Sequence, residues 1–161
     1  MARSVLQTEL RKKNPFDCPE QEATLNLLRT ADFLARDAAA LFERHGISTP
    51  QFNVLRILRG QSGAGLPCQE IVAQMVTQTP DITRLVDRLE AAGLAIRART
   101  AADRRVVLVH ITKQGLALLR RLDAPVLDLH RRQMDHLKPA EIAELNRLLV
   151  KLRQPPAAAA P

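Results

Sequence analysis

Apolar residues recur at spacings of three and four along most of this chain, and alternate with a spacing of two in only two short stretches. From Pro19 to His45 the positions Leu27, Leu28, Ala31, Phe33, Leu34, Ala38, Leu41 and Phe42 follow the helical period, and Gly46 closes the run. Ser48-Thr49-Pro50 offers a hydroxyl cap and a first-turn proline to FNVLRILRG, which ends at Gly60. The loop QSGAGL leads to a third helix near Pro67 to Met75. In TPDITRLVDRLEAAG, Thr79 is the capping candidate, Pro80 takes the first turn, Asp81 suits the positive helix end and Gly93 terminates. Ile82, Leu85, Val86 and Leu89 form one stripe to bury, and Thr79, Thr83, Arg84, Asp87 and Arg88 are left facing outward.

The alternating segments LAIRART and RVVLVHI predict a hairpin, turned by Ala101, Ala102 and Asp103. Thr112 then caps a long helix that Pro125 is expected to kink. Pro139 opens the last helix, with Ile142, Leu145, Leu148, Leu149 and Leu152 along one side. The predicted fold is mainly α with a small β-hairpin wing. From 49 to 111 the order is helix, short helix, turn, helix, hairpin, the layout of a winged helix-turn-helix, with further helices at both ends. Residues 1–18 read as a flexible basic arm, 19–153 as a single unit with its winged part at about 47–111, and 154–161 as a disordered tail.

Charge narrows the class of partner. Of the 161 residues, 24 are Lys or Arg and 17 are Asp or Glu, and the resulting formal charge of +7 favours a polyanion. Aromatics make up only 2%, with no Trp and no Tyr, so base-stacking platforms for single strands lack material and duplex is the expected nucleic acid. No apolar run approaches the length of a bilayer span and no signal peptide is recognisable, so a cytoplasmic protein with no membrane partner is expected. Cys18 and Cys68 lie outside any CxxC spacing, and His130 and His136 fall on different helix faces, so no metal or other cofactor is expected. No nucleophile elbow, P-loop or dinucleotide fingerprint occurs, which argues against an enzyme.

In a winged helix-turn-helix the second helix of the pair presents its N-terminal half to the major groove. That makes Thr79, Pro80, Asp81, Thr83, Arg84 and Arg88 the candidate DNA-facing set, with Arg84 best suited to the paired acceptors of guanine. The competing reading pairs Arg84 and Arg88 with Asp81, Asp87 or Glu90 on a solvated face. The layout favours contact with DNA for Arg84 and leaves Arg88 open. For Asp81, capping of its own helix is preferred over contact with a cytosine amine. Arg97 and Arg99 read as solvation of a strand face.

The stretch TPDITRLVDRLEAAGLAIRARTAADRRVVLVHITKQG resembles the signature of the MarR (multiple antibiotic resistance regulator) family of bacterial transcription factors. The likeness rests on TRLVDRLE, on Gly93-Leu94 before the wing, on Asp103 with Arg105, and on Thr112 with Gly115, and it extends over about 20–152. It implies a homodimer joined through its terminal helices, about 19–45 and 112–153, bound to double-stranded DNA at a near-palindromic operator. By the same resemblance Arg105 reads the minor groove, Asp103 orients the wing arginines and Arg104 contacts phosphate. A narrow A·T-rich groove attracts an inserted guanidinium, which agrees with that assignment.

The resemblance also implies a repressor released by a small aromatic or anionic effector. Phe33, Phe42 and Phe52 are the candidate ligand-lining residues, although plain core packing is the reading the pattern favours. Two alternatives stay open: a cysteine-based redox sensor, and a winged-helix protein-interaction module that does not bind DNA. For the first, Cys18 lies about two turns ahead of Thr24, where the family's hydroperoxide sensors place their cysteine, and Glu20 and Glu22 would raise a thiol's pKa.

Overall fold

The computed structural model describes residues 3–61, 63–78, 81–99 and 106–154, which fall into two units, one ending at Asp123 and the next beginning at Ala124. The first unit opens with a short helix α1 (Val5–Glu9), where the sequence suggests a loose arm. Five residues are too few for a helix to be stable by itself. Tertiary contact supplies the difference: Leu6 is buried, Ser4 caps the Gln7 N–H, and Glu9 pairs with Arg29 at 2.9 Å.

Helix α2 (Pro19–Glu43) matches the long first period, yet Phe42 alone in it is fully buried. Leu27, Leu28 and Phe33 of its apolar stripe stay exposed. Helix α3 (Thr49–Gly60) starts in a capping box, in which Ser48 Oγ accepts from the Gln51 N–H and the Gln51 side chain accepts from the Ser48 N–H. Phe42 and Phe52 stack with ring centroids 4.2 Å apart, locking the end of α2 onto α3. Val54, Leu55 and Leu58 continue this core towards Ile71 of α4 (Cys68–Gln74) and Val86 and Leu89 of α5 (Ile82–Ala91).

Strands β1 (Ala95–Arg99) and β2 (Val107–Ile111) pair antiparallel, with Ala95 opposite Ile111 and Arg99 opposite Val107. Leu66, just before α4, adds an isolated bridge to Val109 through hydrogen bonds of 3.0 and 2.8 Å, so the wing is stitched to the loop between α3 and α4. That bridge has no alternating pattern of its own, and nothing in QSGAGL announces it.

Helix α6 (Lys113–Met134) runs without a break through Pro125, where the sequence suggests a kink. The division between units falls inside it. A helix of 22 residues is about 33 Å long, and its two halves serve different units. In the first half Leu118, Leu119 and Leu122 are buried, and the Nη1 of Arg59 on α3 donates to both carboxylate oxygens of Asp123, at 2.8 and 2.9 Å. In the second unit, Val126 and Leu129 are buried, while α7 (Pro139–Arg153) has no buried residue. Among the described residues no helix is long and apolar enough to cross a membrane. The expected tail beyond 154 lies outside the described residues.

Candidate nucleic-acid interface

The helix pair α4–α5 is set on α3 by Asn53, whose Oδ1 accepts the Val76 N–H at 2.9 Å in the connecting turn. Helix α5 then begins at Ile82 with Asp81 as its cap, and Asp81 Oδ1 accepts the Arg84 N–H at 2.9 Å. This corrects the assignment of the cap to Thr79: the aspartate two positions later is the residue placed to take the free amides of the first turn. Thr79 and Pro80 lie outside the described residues. Leu85, Val86 and Leu89 face the core, and Thr83, Arg84, Asp87 and Arg88 are exposed. Ile82, expected in the buried stripe, is only half-buried at the helix entrance.

The acids of α5 have owners. Arg97 on β1 donates from Nη1 to Asp87 at 2.6 Å and to Glu90 Oε2, and from Nη2 to the Thr83 carbonyl at 3.1 Å; its backbone N–H donates to Glu90 Oε1 at 2.6 Å. Burial acts against the guanidinium's charge, but the bonds to Asp87 and Glu90 outweigh it and raise its pKa. This differs from the strand-face solvation that the sequence pattern suggests for Arg97. Glu90 carried the missing signal, since the residues three and four positions away on its own helix include no base, so its partner had to come from elsewhere.

With Asp81 occupied as a cap and Asp87 and Glu90 held by Arg97, neither Arg84 nor Arg88 has an ion-pair partner among the described residues. The competing pairing on a solvated helix face therefore does not form among the described residues. Arg99 is likewise exposed, on the same face of the hairpin as Arg97 and nearer its tip. Asp103, Arg104 and Arg105 lie outside the described residues.

Two contacts fix the hinge between α5 and the wing. Gly93 follows α5 with φ of 68°, a conformation that favours glycine, and its carbonyl accepts the Thr112 hydroxyl at 2.7 Å. Thr112 Oγ1 in turn accepts the Gly115 N–H at 3.0 Å, capping α6. A Cβ at Gly115 would meet the Leu94 carbonyl oxygen at 2.4 Å, so the close approach of α6 to the foot of the hairpin depends on that glycine.

The three candidate phenylalanines do not form a common site. Phe42 and Phe52 are the stacked core pair, while Phe33 is exposed, which departs from the core packing the pattern favours for it. A cavity of about 450 Å³ opens instead beside α1, lined by Arg3, Lys13, Phe16, Cys18 and others, and none of the three contributes to it. Cys18 is exposed. Glu20 sits below its ordinary carboxylate value, first through its own backbone N–H and then through the Cys18 thiol, which donates to it.

A protein-family model described as the MarR family matches residues 45–106, the stretch from the approach to α3 through the hairpin. The solved structure of a MarR transcription factor from Planctomyces limnophilus is 41% identical, aligns over 84% of this chain and 98% of that one, and superposes with a TM-score of 0.66. The chain belongs to the MarR family of transcription regulators. The regulator MhqR of Bacillus subtilis is 36% identical over 76 residues, or 47% of this chain, and that stretch spans about half (51%) of MhqR. BpsR of Bordetella bronchiseptica, whose DNA binding is regulated by 6-hydroxynicotinic acid, is 25% identical over 83% of this chain and 99% of its own, with a TM-score of 0.69. These relatives are regulators, not enzymes, and the two solved structures share the winged helix-turn-helix found here.

Proposed function

We propose that this MarR-family chain is a sequence-specific regulator that binds double-stranded DNA in the cytoplasm, with α5 in the major groove and the hairpin beside the adjacent minor groove. The observation that carries the reading is the freed pair of arginines. Asp81, Asp87 and Glu90 are all engaged elsewhere, and Arg84 and Arg88 stand one turn apart on an exposed face with no ion-pair partner among the described residues. A guanidinium so placed has its donors available for guanine O6 and N7 or for phosphate.

Arg84 is assigned to a base edge and Arg88 to the backbone. Thr83 flanks them, and Thr79, Pro80, Asp103, Arg104 and Arg105 complete the contact surface, with Arg105 in the minor groove as the family resemblance implies. The protein works as a homodimer on a near-palindrome and represses by occupying an operator. A small aromatic or anionic effector releases it, by analogy with BpsR and its 6-hydroxynicotinic acid.

Selection from a random-sequence duplex pool tests the reading. Enrichment of a near-palindrome whose half-sites lie one helical turn apart is the expected result. A pool with no sequence enriched over its input would overturn it and favour the protein-interaction module instead.

A further inference from the structure

We propose that Arg97 is the positioning residue of the interface: it fixes the rotation of the recognition helix against the wing and cancels the acids that would otherwise face the duplex. The inference rests on the duplex-binding reading above. Thr83, Asp87 and Glu90 stand at i, i+4 and i+7, which places them on one stripe of α5. The guanidinium of Arg97 reaches all three, and its backbone N–H takes the remaining oxygen of Glu90.

Three anchors spread over two turns resist rotation of α5 about its axis. Arg84 and Arg88 form the neighbouring stripe, about 100° further round, so the anchor that holds the first stripe to β1 also sets the direction in which the second points. Thr83 thereby changes its role: its carbonyl belongs to the clamp, while its exposed side chain borders the groove-facing stripe.

Electrostatics point the same way. With its cap, α5 carries three acids against Arg84 and Arg88, an acidic balance unsuited to approaching phosphates. Arg97 removes two of those charges from play without joining the outward face, its side chain being 26% exposed against 57% for Asp87. A lysine could supply the charge, but its single ammonium lacks the planar fork that spans a carbonyl and two carboxylates.

The experiment uses the best-bound duplex from the random pool and, as a non-specific probe, poly(dI-dC), at one fixed salt concentration. Arg97→Ala is expected to weaken binding to both probes, because Asp87 and Glu90 are then uncompensated, and to lose about tenfold more on the selected duplex than on poly(dI-dC), so that the ratio of the two affinities collapses. Arg97→Lys, which keeps the charge but not the fork, is expected to share most of that loss, and it carries the comparison if the alanine variant does not fold. Restoring neutrality with Asp87→Asn and Glu90→Gln in the Arg97→Ala background should not restore the ratio. Equal losses on both probes, or a lysine variant equal to wild type, would overturn the proposal.

Amide hydrogen exchange on the free protein provides an arm that does not depend on DNA. Arg97→Lys should speed exchange in α5 and β1 together and leave α3 unchanged, and unaltered exchange in α5 would contradict the clamp. A wild-type protein that enriches no duplex would count against the duplex-binding reading, while this exchange result would still decide whether Arg97 couples helix and wing.

Discussion

An exposed arginine three or four residues from a carboxylate on the same helix ordinarily gains only about 0.3–0.5 kcal/mol from pairing with it, which is enough to occupy it part of the time. On α5 that competition is removed at its source, because Asp81 is held by the Arg84 N–H and Asp87 and Glu90 by Arg97. On the proposed reading, Arg84 and Arg88 then reach a duplex without first breaking a pair. Arg84→Ala is accordingly expected to weaken the selected duplex by about 1–3 kcal/mol and to relax preference at one base position, while thermal stability moves by less than about 0.5 kcal/mol. Titration against single-base variants of that duplex, alongside a thermal melt, checks both parts. Asp81→Ala should instead act on the fold, costing about 0.5–2 kcal/mol in a denaturant melt through loss of the cap, with Asp81→Asn retaining most of it. At this scale the sequence recognised Asp81 as a capping residue, beside a competing candidate at Thr79. It gave Arg97 no role, because a strand arginine's partner is decided by which helix packs beside it, and local spacing does not report that.

The elements owe their placement to a few junctions. Thr112 bonds both the end of α5, through the Gly93 carbonyl, and the start of α6, through the Gly115 N–H. Gly115 lets α6 pass against the Leu94 carbonyl. Gly115→Val should destabilise the protein by about 1–3 kcal/mol as overpacking against backbone, measured in urea, and should disturb the hairpin signals in an NMR spectrum before those of α2. Helices and hairpin were legible in the pattern because their periods run over many residues, and cap residues such as Ser48 marked their starts. Helix α1 and the Leu66 bridge were not, since each is too short to carry a period and exists through contacts made elsewhere in the fold. The same holds for α2, whose period predicted the helix correctly but could not tell that half of its apolar stripe would stay uncovered.

For the molecule as a whole, that uncovered surface has a consequence. Leu28 and Phe33 on α2, and Leu148 and Leu152 on α7, are large apolar residues exposed in the single chain, beyond what isolated surface positions ordinarily present. On the homodimer reading proposed above, a second copy covers them. Light scattering at micromolar concentration should give twice 17.9 kDa, and charged substitutions at Leu148 and Leu152 together should shift the mass towards the monomer; a wild-type mass of 17.9 kDa would contradict the dimer. The formal charge of +7 adds a long-range attraction for a polyanion to the local chemistry of α5. Both effects are carried by salt-sensitive contacts. The most direct test of the account is therefore the affinity for the selected duplex measured across salt concentrations, in wild type and in the Arg84→Ala/Arg88→Ala variant. Wild type should show a steep log–log slope of several units, as neutralised phosphates release their counterions, and the variant a shallower one. An affinity indifferent to salt, or identical slopes in the two proteins, would contradict it.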